Sequence, residues 1–443
     1  MSVLSSPRPS QPTGRHPVTA GPAGDDPPRK RASRLGRLLD HRLREIVFRR
    51  LANLSHGRLA VVDEDGCKTF GPSDAGESTV ELHVRDSRFY RRLALGGSLG
   101  AAEGYFLGYW DCDHLVDLMR LFCRDTKVSG EVERGLARLT RPVQKMLHRL
   151  RRNTPGGSRR NIAAHYDLGD DFFSLFLDET MAYSCGIFPN PQSTLHEASL
   201  AKFERVCRKL QVSEEDHVME IGSGWGGFAV YAAQNYGCRV TTTTVSKRQY
   251  EFTRRRVQEE GLADRVTVLC EDYRNLAGQF DMLVSIEMIE AVGYEYFDAY
   301  FKACSDLLKP HGMMLLQAIT IPDQRFDGYR RSVDFIQRYV FPGGCLPSLG
   351  AICGSLGRVT DLQPVHLEDL TAHYAQTLEH WRRRLQANID EVRALGLSEE
   401  FLRLWEFYFC YCEAGFREGM IGDVQLLLCK PDCRRPAILP ALD

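Results

Sequence analysis

Short apolar runs and helical patterns alternate in the second half of the chain. The apolar runs predict buried strands, and the amphipathic stretches between them predict helices. The predicted strands lie near residues 217–221, 239–244, 266–270, 281–286 and 313–319. Because parallel strands need long crossover connections, this alternation indicates a parallel sheet with helices on both faces. We therefore expect an α/β fold in this part of the chain.

The alternation ends after Ile319. A helical stretch rich in aromatic residues follows, and we interpret residues 322–357 as a cap over the ligand-binding end of the sheet. A strand near 358–365, helices to about 414 and a last strand near 423–429 complete the prediction.

The N-terminal residues divide into a tail and a helix. Seven prolines and almost no large apolar groups occur in residues 1–28, so we expect a disordered tail over residues 1–34. From Leu35 to Leu51, apolar residues recur at helical spacing between basic residues, which predicts a basic amphipathic helix. Packing on its own domain and contact with a membrane both fit this pattern.

A small α+β domain is predicted over residues 35–135. Its strands lie near 59–64 and 78–85, and its helices near 98–108 and 114–124. A basic linker over residues 136–160 follows. Between Arg134 and Arg160 the chain has eight arginines and one lysine but no acid, and a second basic cluster runs from Arg29 to Arg50. Both segments would suit a phosphate-rich surface.

Composition narrows the class of protein. The chain has 443 residues, of which 57 are basic and 58 acidic, so its formal net charge is −1. A nearly neutral chain has no overall field to gather nucleic acid, and we expect no nucleic-acid partner. We find no apolar run of about 18 residues and no signal-peptide pattern, so we expect no membrane span. The 14 cysteines lack metal-type spacing, which predicts reduced thiols, a cytoplasmic protein and no metal site.

A glycine-rich turn follows the first strand of the α/β region. The run from Val218 to Gly227 predicts a buried strand, a turn and the start of a helix. Glycines at 222 and 224 would let the backbone approach a nucleotide cofactor closely. A nicotinamide enzyme needs an acid about 20 residues further on to hold the ribose. Four threonines, Thr241 to Thr244, occupy that place, which argues against nicotinamide.

Several ordered strings resemble a known family, the cyclopropane-fatty-acyl-phospholipid synthases and their mycolic-acid relatives, which are S-adenosylmethionine (SAM)-dependent methyltransferases. The strings are Asn161-Ile162-Ala163-Ala164-His165-Tyr166-Asp167 followed by Phe172-Phe173, Tyr183-Ser184-Cys185, the glycine loop with Trp225, Thr244-Val245-Ser246-Lys247-Arg248-Gln249, Glu290-Ala291-Val292-Gly293, and Phe341-Pro342-Gly343-Gly344-Cys345-Leu346-Pro347. The resemblance covers residues 160–430 strongly and the N-terminal region more weakly.

The resemblance implies a Rossmann-like class I SAM-dependent methyltransferase sheet with a helical cap, preceded by the small α+β domain. The catalytic domain would span residues 161–430, followed by a tail over 431–443. The N-terminal domain would interact with lipid and form a homodimer. The protein would then work in the cytoplasm, at the inner face of the membrane.

The family resemblance also assigns cofactor contacts. The methionine and ribose ends of SAM would contact Tyr183, Ser184, Val218, Met219, Glu220, Ile221, Gly222, Ser223, Gly224, Trp225 and Gly226. The ribose side would be lined by Thr244, Val245, Ser246, Lys247, Arg248 and Gln249. Glu271, beside Asp272, matches the adenine contact. His165 would either orient the neighbouring helix or be a core histidine.

The reaction implied is methyl transfer to the cis double bond of a phospholipid acyl chain. The resulting carbocation would lose a proton to a bound bicarbonate ion and close to a cyclopropane ring. The residues that match the bicarbonate shell are Cys185, Glu290, Gln317, Tyr374 and the Ile319 backbone. Gln317 and Ala291 depart from the family, where histidine is common at both positions. Glutamine donates and accepts hydrogen bonds but does not titrate.

Some alternatives stay open on the sequence alone. Cys412 matches a family active-site cysteine, but its aromatic neighbours also suit a buried helix. A methyl-branched or methylene product needs the same cofactor motifs as a cyclopropane. A peripheral lipid-binding protein with a decayed catalytic domain would account for Gln317 and Ala291.

Overall fold

The computed structural model describes residues 34–72, 79–125, 130 and 169–434. The predicted tail before Arg34, the basic linker, the motif from Asn161 to Asp167 with His165, and residues 435–443 lie outside the described residues. The following account concerns the described part of the chain.

The N-terminal region is a four-stranded sheet with three helices. Its elements are α1 (Arg34–Leu51), β1 (Arg58–Asp63), β2 (Gly66–Phe70), β3 (Thr79–Val84), α2 (Arg88–Phe106), β4 (Trp110–Asp111) and α3 (Leu115–Arg124). The strand order is β2-β1-β3-β4, with β1 and β3 parallel. The strands predicted near 59–64 and 78–85 and the helix near 114–124 are confirmed.

Two N-terminal predictions are corrected. The helix predicted over 98–108 begins ten residues earlier, at Arg88, and is broken at Gly97, whose φ is 61°. Strand β2 was missed because all its residues except Phe70 are exposed, so it has no buried face to create an alternating pattern. In α1, the apolar stripe that includes Leu43, Val47 and Phe48 is buried in this domain. Packing therefore accounts for that stripe.

The second region contains a seven-stranded sheet. Its strands are β5 (His217–Ile221), β6 (Arg239–Thr243), β7 (Val266–Leu269), β8 (Phe280–Ile286), β9 (Leu308–Thr320), β10 (Gln363–Asp369) and β11 (Gly422–Cys429). The order is β10-β11-β9-β8-β5-β6-β7. Strands β5 to β9 are parallel, and β11 runs antiparallel between β9 and β10. The five predicted parallel strands are confirmed, and so is the α/β fold.

Helices cover this sheet. They are α4 (Asp170–Ser174), α5 (Leu195–Leu210), α6 (Gly227–Tyr236), α7 (Lys247–Glu259), α8 (Phe297–Leu307), α9 (Asp323–Tyr329), α10 (Leu349–Val359), α11 (Thr371–Ala387), α12 (Ile389–Ala394) and α13 (Glu399–Arg417). The strand predicted near 358–365 is present but begins later, because α10 continues through Val359 and β10 begins at Gln363. As an edge strand with Val365 and Leu367 exposed, β10 lacks a buried apolar run. No helix in the described ranges is long and apolar enough to cross a membrane.

The long helix α13 joins the two regions. On one side it packs against α2 and α3, and on the other against α11. Its Arg403 guanidinium donates to the Tyr105 carbonyl at 2.6 Å, the Trp110 carbonyl at 2.9 Å and the Asp111 carboxylate at 2.7 Å. Just beyond α13, Glu418 accepts hydrogen bonds from Arg120 and Arg124. These contacts place the N-terminal helices beside the region that contains the seven-stranded sheet.

We expect Arg403→Ala to loosen this junction. Loss of one charge-assisted hydrogen bond costs about 1.5–3 kcal/mol, and the variant would also lose the bonds from Arg403 to the Tyr105 and Trp110 carbonyls. The variant should therefore have a lower thermal unfolding midpoint and faster proteolysis between the two regions. Arg393→Ala is the matched control, because Arg393 forms only surface ion pairs with Asp390 and Glu399. Equal midpoints for the two variants would contradict the expectation.

Candidate active site

The glycine loop lies at the carboxyl end of β5 and leads into α6. Gly222 and Gly224 have φ values of 101° and 49°, which side chains rarely allow. A Cβ on Gly222 would lie 3.2 Å from Met288 Cγ, whereas a Cβ on Gly224 would meet no atom within 4 Å. Gly224 lines a large cavity, so a side chain there would enter space that a ligand can occupy.

Glu220 lies near the end of β5 and is buried beside the loop. The Thr242 hydroxyl on β6 donates to its carboxylate at 2.5 Å. Burial raises the pKa of Glu220 to about 8, opposed by Thr242 and by the charge of Lys202. A nearby cation stabilises a buried carboxylate in its charged form. The site therefore suits a ligand such as SAM, which carries an ammonium and a sulfonium group.

The loop after β6 forms the next wall of the site. The Thr244 hydroxyl donates to the Gln249 side-chain oxygen at 2.9 Å. Ser246 caps α7 by accepting from the Gln249 backbone N–H at 3.3 Å. Lys247 and Arg248 are exposed and are not among the described residues that line the cavity.

The loop after β7 carries the predicted adenine contact. Glu271 is exposed, and its backbone carbonyl accepts from the Thr243 hydroxyl at 2.7 Å. The Asp272 carboxylate binds the Arg274 guanidinium through two hydrogen bonds, at 2.8 and 2.6 Å. Glu271 and Asp272 both line the cavity.

Most of the predicted cofactor residues line this one cavity. They are Tyr183, Ser184, Glu220, Ile221, Gly222, Ser223, Gly224, Trp225, Thr244, Val245, Gln249, Glu271 and Asp272. The side chains of Val218 and Met219 lie in the apolar core instead. Gly226, with φ 83°, caps α6, and a Cβ there would lie 2.7 Å from Thr253.

The cavity has a volume of about 1210 Å³ and continues beyond the glycine loop. It passes beneath the residues predicted as a cap and reaches the N-terminal helices. Aromatic side chains line its middle, namely Tyr183, Trp225, Phe335, Phe341, Phe407, Tyr408, Tyr411 and Phe416. Its N-terminal end is lined mainly by apolar side chains, among them Leu93, Leu99, Leu118, Met119 and Phe122. The space is long, apolar and connected to the loop.

A half-buried acid, Glu287, lies directly after β8 and lines the same cavity. The Tyr374 hydroxyl donates to its Oε2 at 2.6 Å, and the Cys185 backbone N–H donates to its Oε1 at 2.8 Å. The Gln317 amide also donates to Oε1, at 2.8 Å. Burial raises the pKa of Glu287, while Tyr374, Cys185, Lys202 and Gln317 oppose the rise. Three predicted members of the bicarbonate shell thus meet on a protein side chain.

The Gln317 amide is held in one orientation. Its Nε2 also donates to Asp423 at 3.2 Å, and its Oε1 accepts from Gln425 at 3.0 Å. Gln425 in turn accepts from the Lys209 ammonium at 2.8 Å. Burial and the neighbouring glutamates raise the pKa of Asp423 well above its usual range. Asp423 Oδ1 has no partner among the described residues, whereas both oxygens of Glu287 accept hydrogen bonds.

Glu290 and Ile319 form a separate pair. The Ile319 backbone N–H donates to Glu290 Oε1 at 2.6 Å, and Oε2 is buried with no partner among the described residues. Burial and the charge of Glu287 raise the pKa of Glu290 to about 8. At neutral pH, Glu290 is therefore mostly protonated.

The two predicted catalytic cysteines differ in position. The Cys185 thiol donates to the Gly186 carbonyl at 3.1 Å, so only its backbone N–H is directed to Glu287. Cys412, on α13, lines the cavity. Burial raises the pKa of both thiols, which keeps them neutral.

Sequence reasoning missed Glu287 and Asp423. One signal was present, because Glu287 immediately follows a buried parallel strand, where catalytic acids of α/β sheets occur. The donors that surround it come from distant parts of the chain and gave no such signal.

The class of protein follows from the order of the strands, from the glycine loop after β5 and from the acid Glu287 after β8. SAM-dependent methyltransferases have a parallel sheet with one antiparallel strand inserted near an edge, and they bind their ligand at the carboxyl ends of the strands. This chain is such an enzyme.

Comparisons identify the family. The model of the mycolic acid cyclopropane synthetase family matches residues 154–426, and the chain belongs to this family. A tuberculostearic acid methyltransferase of Mycobacterium tuberculosis is 38% identical over 393 residues, which are 86% of this chain and 90% of that protein. A cyclopropane-fatty-acyl-phospholipid synthase of Escherichia coli strain K12 is 36% identical over 354 residues, 79% of this chain and 87% of that protein. A solved mycolic acid cyclopropane synthase complexed with SAH and CTAB is 33% identical, with a TM-score of 0.58, and is matched over 61% of this chain and 98% of its own.

We expect Gly224→Ala to weaken binding of S-adenosylhomocysteine (SAH) at least about tenfold, or 1.4 kcal/mol, because its methyl group would project into the cavity. Isothermal titration calorimetry would measure the affinity. Gly261→Ala is the matched control: Gly261 also has a positive φ, 68°, and no atom within 4 Å of a built Cβ, but does not line the cavity. If both variants bind SAH as the unmodified protein does, the loop is not the cofactor site.

Proposed function

We propose that the enzyme transfers the SAM methyl carbon to a cis double bond in a phospholipid acyl chain and forms a cyclopropane ring. The observation that carries the proposal is the single cavity that joins the glycine loop to a long apolar space. SAM, when bound, supplies an electrophilic methyl group on a sulfonium. Glu220, the glycine loop, Thr244, Gln249 and Glu271 would hold it at one end.

The apolar space suits an acyl chain. Small-molecule pockets usually occupy about 300–1,000 Å³, so 1210 Å³ leaves room for a cofactor and a long hydrocarbon. Leu93, Leu118 and Phe122 of the N-terminal region would contact the chain far from the reacting carbon. The junction made by α13 would hold these contacts in place.

The middle of the cavity suits the chemistry of an unactivated alkene. Methyl transfer to such a bond leaves a carbocation, which must be shielded from water and stabilised. Aromatic faces such as those of Tyr183, Phe341 and Tyr408 stabilise a cation by about 0.5–2 kcal/mol each. A neighbouring base must then remove one proton.

Bicarbonate does not fit the residues that were predicted to hold it. Tyr374, Gln317 and the Cys185 N–H already donate to Glu287, and an added anion would lie among buried carboxylates. We therefore assign no step to bicarbonate in this chain.

A methyl-branched or methylene product is the second candidate. The observation that favours it is the similarity to tuberculostearic acid methyltransferase over most of both chains. The cyclopropane and the methylene product require the same cofactor site and the removal of one proton, so the residues above serve either. A saturated methyl branch would form from the methylene product only with a hydride from a separate reductant and a proton from water.

Purified protein incubated with SAM and vesicles of cis-monounsaturated phospholipid should add one CH2 to the acyl chains, as measured by mass spectrometry. Cyclopropyl protons in the NMR spectrum of the released fatty acids would identify the first candidate. The same mass gain without ring signals would identify the second. Vesicles of saturated phospholipid are the control and should gain nothing. No gain on the unsaturated lipid, with SAH binding intact, would contradict the proposal.

We further propose that basic residues help to seat the protein on anionic phospholipid. Arg42 and Arg49 on α1 are exposed, and each arginine near such a surface contributes about 1 kcal/mol. Arg42→Ala combined with Arg49→Ala should therefore reduce co-sedimentation with anionic vesicles. Arg254→Ala combined with Arg255→Ala, which removes two exposed arginines from α7, should change it less. Binding that is insensitive to salt and to anionic lipid content would contradict the idea.

A further inference from the structure

Donors predicted to surround a bicarbonate ion converge on Glu287. Its carboxylate accepts hydrogen bonds from the Tyr374 hydroxyl, the Cys185 backbone N–H and the Gln317 amide, all within 2.8 Å. These donors come from α11, a loop before α5, and β9. A carboxylate and a bicarbonate ion present the same pair of acceptor oxygens. Glu287 thus supplies, as part of the chain, the group that the donors are arranged to bind.

We propose that the Glu287 carboxylate is the proton acceptor of the reaction and takes the place of bicarbonate in this enzyme. The inference rests on the proposed function for its substrate, but the place of Glu287 in the site can be tested without turnover. It makes Glu287 a catalytic residue and leaves the enzyme independent of dissolved bicarbonate.

The electrons balance without another reactant. The alkene π pair forms a bond to the methyl carbon while the C–S bond breaks and leaves its pair on sulfur. Glu287 then accepts one proton from the transferred carbon, and the released C–H pair closes the ring onto the cationic carbon. In the second candidate, a hydride shift comes first and the same pair forms a methylene double bond. Glu287 ends as a carboxylic acid and returns its proton to water after the product leaves.

Neighbouring acids are less suited to this role. Glu290 has one oxygen bound to the Ile319 N–H, and no described residue donates to the other, so its charged form is poorly stabilised. Asp423 is fully buried and is not among the described residues that line the cavity. Glu287 both lines the cavity and has three donors, which orient it and stabilise its charge.

Gln317 acquires a role in this arrangement. Its amide donates to Glu287 and to Asp423, and Gln425 holds its oxygen. The Glu287 carboxylate needs a hydrogen-bond donor at position 317 whose charge does not change with pH. Glutamine is such a donor, whereas histidine gains and loses a proton near neutral pH. Gln317 is therefore a positioning residue, which accounts for an amide where histidine is common in the family.

Bicarbonate binding and dependence test the proposal. With SAH-bound protein and 13C-labelled bicarbonate, NMR should show no bound ion in the unmodified enzyme. Turnover in buffer freed of carbon dioxide should equal turnover with bicarbonate added. A bound ion, or a rate that falls on removal and returns on addition, would overturn the proposal. The NMR measurement does not depend on turnover. If the proposed function is wrong, no lipid gains CH2; if only the role of Glu287 is wrong, NMR shows a bound bicarbonate ion. The two failures can therefore be told apart.

Two variants of Glu287 test directly whether its carboxylate accepts the proton. Glu287→Gln should lose at least about 100-fold in turnover while keeping its SAH affinity, since general bases contribute about 10²–10⁴-fold. Glu287→Gly should stay folded, because φ at this position is 50°, and it should bind labelled bicarbonate and recover turnover when bicarbonate or formate is added. Glu295→Gln, at an exposed carboxylate, is the matched control and should keep the full rate. A Glu287→Gln variant as active as this control would show that the proton goes elsewhere.

Discussion

A carboxylate withdrawn from water is costly unless it is paired or hydrogen-bonded, and the half-buried Glu287 imposes this constraint on the centre of the molecule. The donors that satisfy it come from the loop before α5, from β9 and from α11. Each of these elements must therefore lie at the carboxyl end of β8 in one arrangement. The left-handed conformation of Glu287 itself, with φ 50°, is held by the same contacts.

The sheet places this cluster beside the cofactor loop. Strands β5 and β8 are neighbours and run in parallel, so the glycine loop after Ile221 and the acid after Ile286 emerge at the same edge. β9 lies on the other side of β8 and contributes Gln317 and the Ile319 N–H. Methyl donor and proton acceptor thus face one cavity as a direct result of strand order.

Apolar packing governs the rest of the cavity. Helix α13 lies between the two regions, and Arg403 holds the end of α2 and β4 against it. Aromatic rings from α4, α11 and α13 fill the space beside the loop, among them Phe172, Trp381 and Trp405. The N-terminal region therefore shapes the cavity that the glycine loop opens, and an acyl chain bound there would contact both regions.

Local patterns in the sequence predict much of this protein. The strands from β5 to β9 follow from runs of apolar residues, and the glycine turn follows from the backbone freedom of glycine. Both signals are local, because they depend only on residues that are close along the chain. The strand predicted near 358–365 was displaced because β10 is an edge strand: its apolar Val365 and Leu367 are exposed, and the half-buried face carries the polar His366 and Glu368. A run of apolar residues can be seen in the sequence of one strand. Whether a strand lies at the edge of a sheet depends on how all the strands pair.

The donors to Glu287 could be found only in the tertiary structure. Cys185, Gln317 and Tyr374 are 102, 30 and 87 residues from it along the chain, and no spacing rule connects them. The family resemblance implied a bicarbonate ion at these residues, because it matches positions along the chain and does not show which group accepts their hydrogen bonds. The sequence by itself determined the kind of cofactor site and the chemistry of its side chains. Only the folded chain decided that a carboxylate of the protein fills the centre, since burial and hydrogen bonding depend on what the fold brings together.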